Sequence, residues 1–188
     1  MVAANPLTER FRRLEDAHYF ETEMRLRKEF DQFLRREHER KALSHASAID
    51  DPELLDRLID EGFSADTFPA LALVPIAMLA WASGDVSERE RKAVLKVVVD
   101  SGLTDHAAAL EMFEGWLVSR PSEKLMDLWR EVTERQLSRV RWSIREAIGD
   151  RYLRQATEVA SASGGFLGFG SVCYEEQALL ERIRSVYG

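Results

Sequence analysis

The 188-residue sequence has one cysteine, Cys173, and no excess of basic residues. A single cysteine excludes an internal disulfide and indicates a reducing compartment. The formal net charge of −7 argues against nonspecific binding to nucleic acid, which requires a basic surface. The amino terminus also lacks the apolar segment of a secretory signal peptide. These absences predict a cytoplasmic protein that does not bind nucleic acid.

Long hydrophobic runs are absent as well. The most apolar segment, residues 68–82, is shorter than the ~20 residues that span a bilayer, and it contains Pro75. This segment predicts a buried core helix, kinked at the proline, and no membrane insertion.

Proline and glycine are scarce, whereas Leu, Ala, Glu and Arg are abundant, a composition that favours helix. Apolar residues recur at helical spacing, and no segment shows the alternation of a strand. Ser87 and Glu90 have the spacing of a capping box before a helix with Val94, Leu95, Val98 and Val99 as its apolar positions. The sequence predicts an all-α fold, a compact helical bundle, with a break at Gly149 in a later helix.

The amino-terminal part is different in character. Residues 7–43 contain no proline or glycine, and ten basic residues balance nine acidic ones between Leu7 and Ser44. We predict a charged helical extension over residues 1–45, formed by one long helix or by two with a bend, followed by a bundle over residues 46–188. The narrow apolar stripe of the extension fits two interpretations: it packs on the bundle, or it binds a partner or a second copy.

An acidic segment begins the bundle. Between residues 50 and 66, Arg57 is the only basic residue beside seven acids. Acids early in a helix are stabilising there, which gives part of the segment a structural role. The alternative is an acidic face that binds a protein partner or a cation.

Two segments of the bundle form a modest internal repeat. In the first helix and turn, Leu73, Leu79, Ala80, Ala82, Ser83 and Gly84 correspond to Leu153, Val159, Ala160, Ala162, Ser163 and Gly164. After a five-residue insertion, Glu90, Ala93, Val94, Leu95 and Val98 correspond to Glu175, Ala178, Leu179, Leu180 and Ile183. The repeat predicts a bundle built from two related helical hairpins.

The first hairpin resembles the TerB-like, tellurite-resistance type of helical protein. That family has an alanine-rich helix, then Ala-Asp-Gly, a hydrophobic residue, a short polar residue and a glutamate three positions later. The pattern is matched by Ala82, Gly84, Val86, Ser87 and Glu90. The second hairpin resembles the family's later copy, and in both copies a serine, Ser83 or Ser163, replaces the aspartate. The resemblance covers residues 69–186 and implies a helical bundle without enzymatic activity, associated with tellurite resistance and stress operons.

The glycine-rich stretch 163–172 has the outer glycine spacing of a phosphate-binding P-loop, but Ser171 and Val172 follow where Lys and Ser or Thr are needed. Because a helix also precedes it instead of a strand, the sequence excludes a nucleotide site. We predict a connector whose Phe166, Leu167 and Phe169 fold back onto the bundle.

A divalent cation is the alternative ligand, with Asp85, Glu90, Glu175 and Glu176 as candidate metal ligands. The first turn departs from an EF-hand loop, because Glu88 stands where glycine is required. The four histidines have no zinc-ligand spacing with one another or with Cys173, and no catalytic motif is present. The sequence therefore predicts a protein that is not an enzyme, needs no cofactor and acts through protein–protein contacts; the alternative is a calcium sensor.

Overall fold

The structure, a computed structural model, describes the backbone of residues 6–162 and 173–188 and the side chains of residues 18–162 and 173–188. All its regular elements are helical, and the predicted all-α fold is confirmed. The α-helices are α1 Pro6–Ser47, α2 Pro52–Asp60, α3 Val74–Ala80, α4 Glu88–Asp100, α5 Ala107–Val118, α6 Glu123–Leu137, α7 Trp142–Ala162 and α8 Tyr174–Tyr187. Short 3-10 helices cover Phe68–Leu73 and Leu103–Asp105. Of the helices in these two ranges, none combines the length and the apolar character needed to cross a membrane. The glycine-rich stretch 163–172 and its predicted packing lie outside the described residues.

The chain divides into two compact units, residues 1–41 and residues 42–188. Of the two arrangements that the sequence allowed for the extension, the structure has one helix, α1, over Pro6–Ser47. Its last turns belong to the second unit, where Leu43 and Ser47 are buried.

Helix α3 is the centre of the second unit. All seven of its residues are buried, and it contacts α4, α5, α6, α7 and α8. The predicted buried core helix is confirmed over Val74–Ala80, but residues 68–82 do not form one α-helix kinked at Pro75. Residues 68–73 form a 3-10 helix, and Pro75 lies in the first turn of α3, where a missing N–H breaks no helical bond.

Helix α4 presents only one face to its neighbours. Val94 and Val98 are buried there, as predicted, whereas Leu95 and Val99 are exposed. Leu95 and Val99, the other two predicted apolar positions, do not face the core, because α4 packs against α3, α7 and the 3-10 helix Leu103–Asp105 and its outer face lies in solvent.

Helix α7 continues through Gly149, so the predicted break at that residue is wrong. A glycine inside a helix also allows a neighbouring helix to approach closely, because it has no Cβ atom. Here α8 packs against α7, and Tyr187 of α8 lies next to Gly149. Helices α3 and α4 are in contact, as are α7 and α8. That these two pairs are related hairpins stays a prediction.

Candidate interaction surfaces

Glu90, one of the predicted metal ligands, is a fully buried capping residue of α4. Its Oε2 accepts a 2.6 Å hydrogen bond from the Ser87 amide, and its own amide donates to Ser87 Oγ at 3.3 Å. Its Oε1 accepts a 3.2 Å hydrogen bond from Ser83 Oγ. The predicted capping box is therefore confirmed, and both carboxylate oxygens already have protein donors.

A second capping box begins α8, and it was not predicted. The Glu176 carboxylate accepts a 2.6 Å hydrogen bond from the Cys173 amide, while the Glu176 amide donates to Cys173 Sγ at 3.4 Å. Glu176 is 1% exposed and Glu90 is 0% exposed. Glu90 and Glu176 therefore make the same capping hydrogen bonds in their two helices. The internal repeat instead pairs Glu90 with Glu175, one residue earlier.

The other two candidate metal ligands, Asp85 and Glu175, are exposed. Across residues 18–162 and 173–188, no group of three or more His, Cys, Asp or Glu side chains could hold a metal ion. Burial raises the pKa of the Cys173 thiol, which favours the neutral N-cap over a reactive thiolate. The structure therefore assigns structural roles to Glu90, Glu176 and Cys173.

Calcium titration tests the cation hypothesis directly. Because both Glu90 oxygens accept hydrogen bonds within the turn, we expect millimolar calcium to release no heat in calorimetry and to leave the Tm unchanged. A saturable heat that disappears in Glu90→Gln but persists in the surface variant Glu88→Gln would instead favour the sensor.

Three of the seven acids of the acidic segment, Asp50, Asp51 and Glu61, pair with basic residues of the same unit. Asp51 caps α2 by accepting hydrogen bonds from the Glu53 and Leu54 amides at 3.0 and 3.2 Å. Its other oxygen lies 2.8 Å from Arg135. The Leu54 amide and the Arg135 guanidinium hold the pKa of Asp51 below its ordinary value.

Neighbouring acids follow the same pattern. Glu61 pairs with Lys124, and Asp50 lies 3.8 Å from Arg139. Because these three ion pairs offset part of the negative charge, this face is a weaker candidate for electrostatic binding than its sequence predicts.

The second unit also has an apolar cavity of about 360 Å³ beside three aromatic rings, Trp129, Tyr152 and Tyr187. Their centroids lie 5.7–6.4 Å apart. The Tyr152 hydroxyl donates a 2.7 Å hydrogen bond to the Ala72 carbonyl. Burial raises the pKa of both tyrosines, so their hydroxyl groups stay protonated and this side of the cavity carries no charge. The sequence did not predict this cluster, because its members come from distant helices.

Among the residues whose side chains the structure describes, the first unit carries the largest group of exposed hydrophobic side chains. We define the apolar stripe as Tyr19, Leu26, Phe30, Phe33 and Leu34 of α1. These side chains are 48–72% exposed, and Phe20 and Met24 beside them are also exposed. At about 100° per residue, the members of the stripe fall within a sector of roughly 100° on the helix. Described by itself, the first unit buries none of them, and their packing on the bundle stays a prediction.

No protein-family model, curated protein or solved structure matches this chain. The resemblance to TerB-like proteins therefore stays a prediction based on the residues of the first turn.

Proposed function

We propose that this chain is a non-catalytic, TerB-like helical protein of the cytoplasm that acts through protein–protein contacts, with the apolar stripe as its contact surface. The exposure of five large hydrophobic side chains along one face of α1 carries the proposal. Soluble proteins rarely expose contiguous apolar surface unless it binds something. The aromatic members are of the type that dominates binding energy at protein interfaces.

The charges of the helix support a specific contact. Acidic and basic side chains surround the stripe, as in the mixed-charge rim of an interface, where they select the partner and its orientation. Among its described residues, the second unit exposes hydrophobic side chains in smaller groups, such as Leu95 with Val99, or singly, such as Val118, and single exposed residues need no partner.

Site-specific photo-cross-linking in living cells tests the proposal. A photoreactive amino acid replaces Phe30 in the full chain, and a matched variant carries it at the exposed Val118. We expect cross-linked adducts from position 30 in clear excess over position 118. Equal yields from the two positions, or no adduct from either, would refute the contact surface.

The resemblance at Ala82, Gly84 and Glu90 leads us to propose that this contact serves the response to tellurite or to general stress. Deleting the gene should then reduce survival in tellurite, and the wild-type gene should restore it where a gene with Phe30→Glu and Phe33→Glu does not. Unchanged survival after deletion would refute the role in tellurite resistance. The proposed contact surface would then still be tested by the cross-linking experiment.

A further inference from the structure

The apolar stripe has about the apolar area of one side of a standard protein interface. If roughly 100 Å² of each of its five side chains is covered, each copy contributes on the order of 500 Å² of apolar surface. An interface of standard size buries ~800 Å² per partner, of which roughly 65% is apolar at its core or in homodimers. A second helix of the same kind therefore suffices to cover the stripe.

Charge is distributed unevenly along the helix beside the stripe. From His18 to Met24, the only charged residues are Glu21 and Glu23. From Arg35 to Lys41, four basic residues outnumber two acidic ones. The helix is therefore acidic where the stripe begins and basic just beyond its last member, Leu34.

This distribution makes the helix complementary to a second copy of itself in one orientation only. Parallel copies place acid beside acid and base beside base; in particular, Glu23 and Glu37 lie on the face of the stripe and would each oppose their own copy. Antiparallel copies place the acidic start beside the basic end.

The antiparallel arrangement also fits the aromatic residues. If the two-fold axis passes midway between residues 31 and 32, Phe30 of one copy has the same height along the helix axis as Phe33 of the other copy. Glu23 then has the same height as Arg40 of the other copy. The Arg40 guanidinium also pairs with Glu37 on its own helix, and its several donors allow it to bind more than one carboxylate.

We propose that the occupant of the apolar stripe is the stripe of a second copy, packed antiparallel about a two-fold axis near Phe30 and Phe33. The inference rests on the proposed contact function and names the partner. The dimer joins two chains through their first units and buries the aromatic side chains that the first unit, described by itself, exposes.

The mass of the purified full chain tests the dimer, by sedimentation velocity from submicromolar to high micromolar concentration. We expect a reversible dimer. The variant with Phe30→Glu and Phe33→Glu should weaken it at least ~100-fold, since interface aromatics contribute about 2 kcal/mol each and 1.4 kcal/mol is tenfold. The matched control, Leu95→Glu with Val99→Glu, places two charges on the exposed face of α4 and should leave it intact.

Spin labels test the orientation. A label at Glu21→Cys, in a chain with Cys173→Ser to retain an N-cap, should give a separation of about 30 Å or more between copies, because antiparallel crossing displaces position 21 by that distance along the axis. Because position 21 lies opposite the stripe, parallel helices would hold the two labels about 20–25 Å apart across the pair, and a separation in that range would overturn the orientation.

Two results of the sedimentation experiment would overturn the proposed dimer. A monomer at every concentration, or a dimer that resists the two charges at Phe30 and Phe33, overturns the inference. Since only the purified chain is present, a monomer leaves the proposed contact with another protein standing, and that proposal fails only in the cross-linking experiment.

Discussion

Replacing Glu90 with alanine is expected to lower the free energy of unfolding by about 2–3 kcal/mol, a large effect for a charged residue in the first turn of a helix. The carboxylate is fully buried and accepts hydrogen bonds from the Ser87 amide and the Ser83 hydroxyl. Alanine removes both acceptors, leaves two donors to find water and opens a cavity beside the core.

Glu88 provides the matched control for this prediction. It lies in the same first turn of α4, where an acid also interacts favourably with the helix dipole, but its side chain is exposed. We expect Glu88→Ala to cost no more than about 0.5 kcal/mol, as surface substitutions usually do. Urea denaturation followed by circular dichroism measures both values, and equal losses would contradict the structural role of Glu90.

The second capping box gives the same contrast in α8. Glu176→Ala should destabilise the chain by about 2 kcal/mol, and the exposed Glu175→Ala should have little effect. The internal repeat, which pairs Glu90 with Glu175, predicts the opposite ranking. The stability of the two variants therefore decides which register relates the turns.

The two capping boxes show which helix starts can be predicted from local sequence. Ser87 and Glu90 form a recognised N-terminal pattern, and the sequence correctly predicted their capping box. Cys173 and Glu176 have the same spacing, but cysteine is not among the usual N-cap residues. The internal repeat, which matches apolar residues on both sides of the turn, instead pairs Glu90 with Glu175.

The helices and the central core were predictable because their signals are local. The apolar segment around α3 indicated burial on all sides, and the glycines after α2 and α4, Gly62 and Gly102, adopt the positive φ values of helix ends. The exposure of Leu95 and Val99 was not predictable, since composition does not show how many neighbours cover a helix. The same holds for the apolar stripe, whose spacing is equally typical of a packed and of an uncovered face.

Gly149→Ala is expected to lower the free energy of unfolding by about 2 kcal/mol, although alanine is the better helix former. A Cβ atom at Gly149 would lie 2.6 Å from Tyr187 Cβ and 2.9 Å from Tyr187 Cγ. Because Tyr187 Cβ is attached to the backbone of α8, rotation of the tyrosine side chain cannot relieve this contact. Overpacking costs up to about 3 kcal/mol, and the gain of about 1 kcal/mol in helix propensity offsets only part of it.

Gly115 separates these two contributions. It also lies inside a helix, α5, but a Cβ atom there meets nothing within 4 Å. Gly115→Ala should therefore raise stability by about 0.5–1 kcal/mol, the propensity gain alone. Thermal melts should show a fall in Tm of roughly 4–8 °C for Gly149→Ala and a small rise for Gly115→Ala. If both variants gained stability, α7 and α8 would not approach each other closely at Gly149, and that glycine would have no packing role.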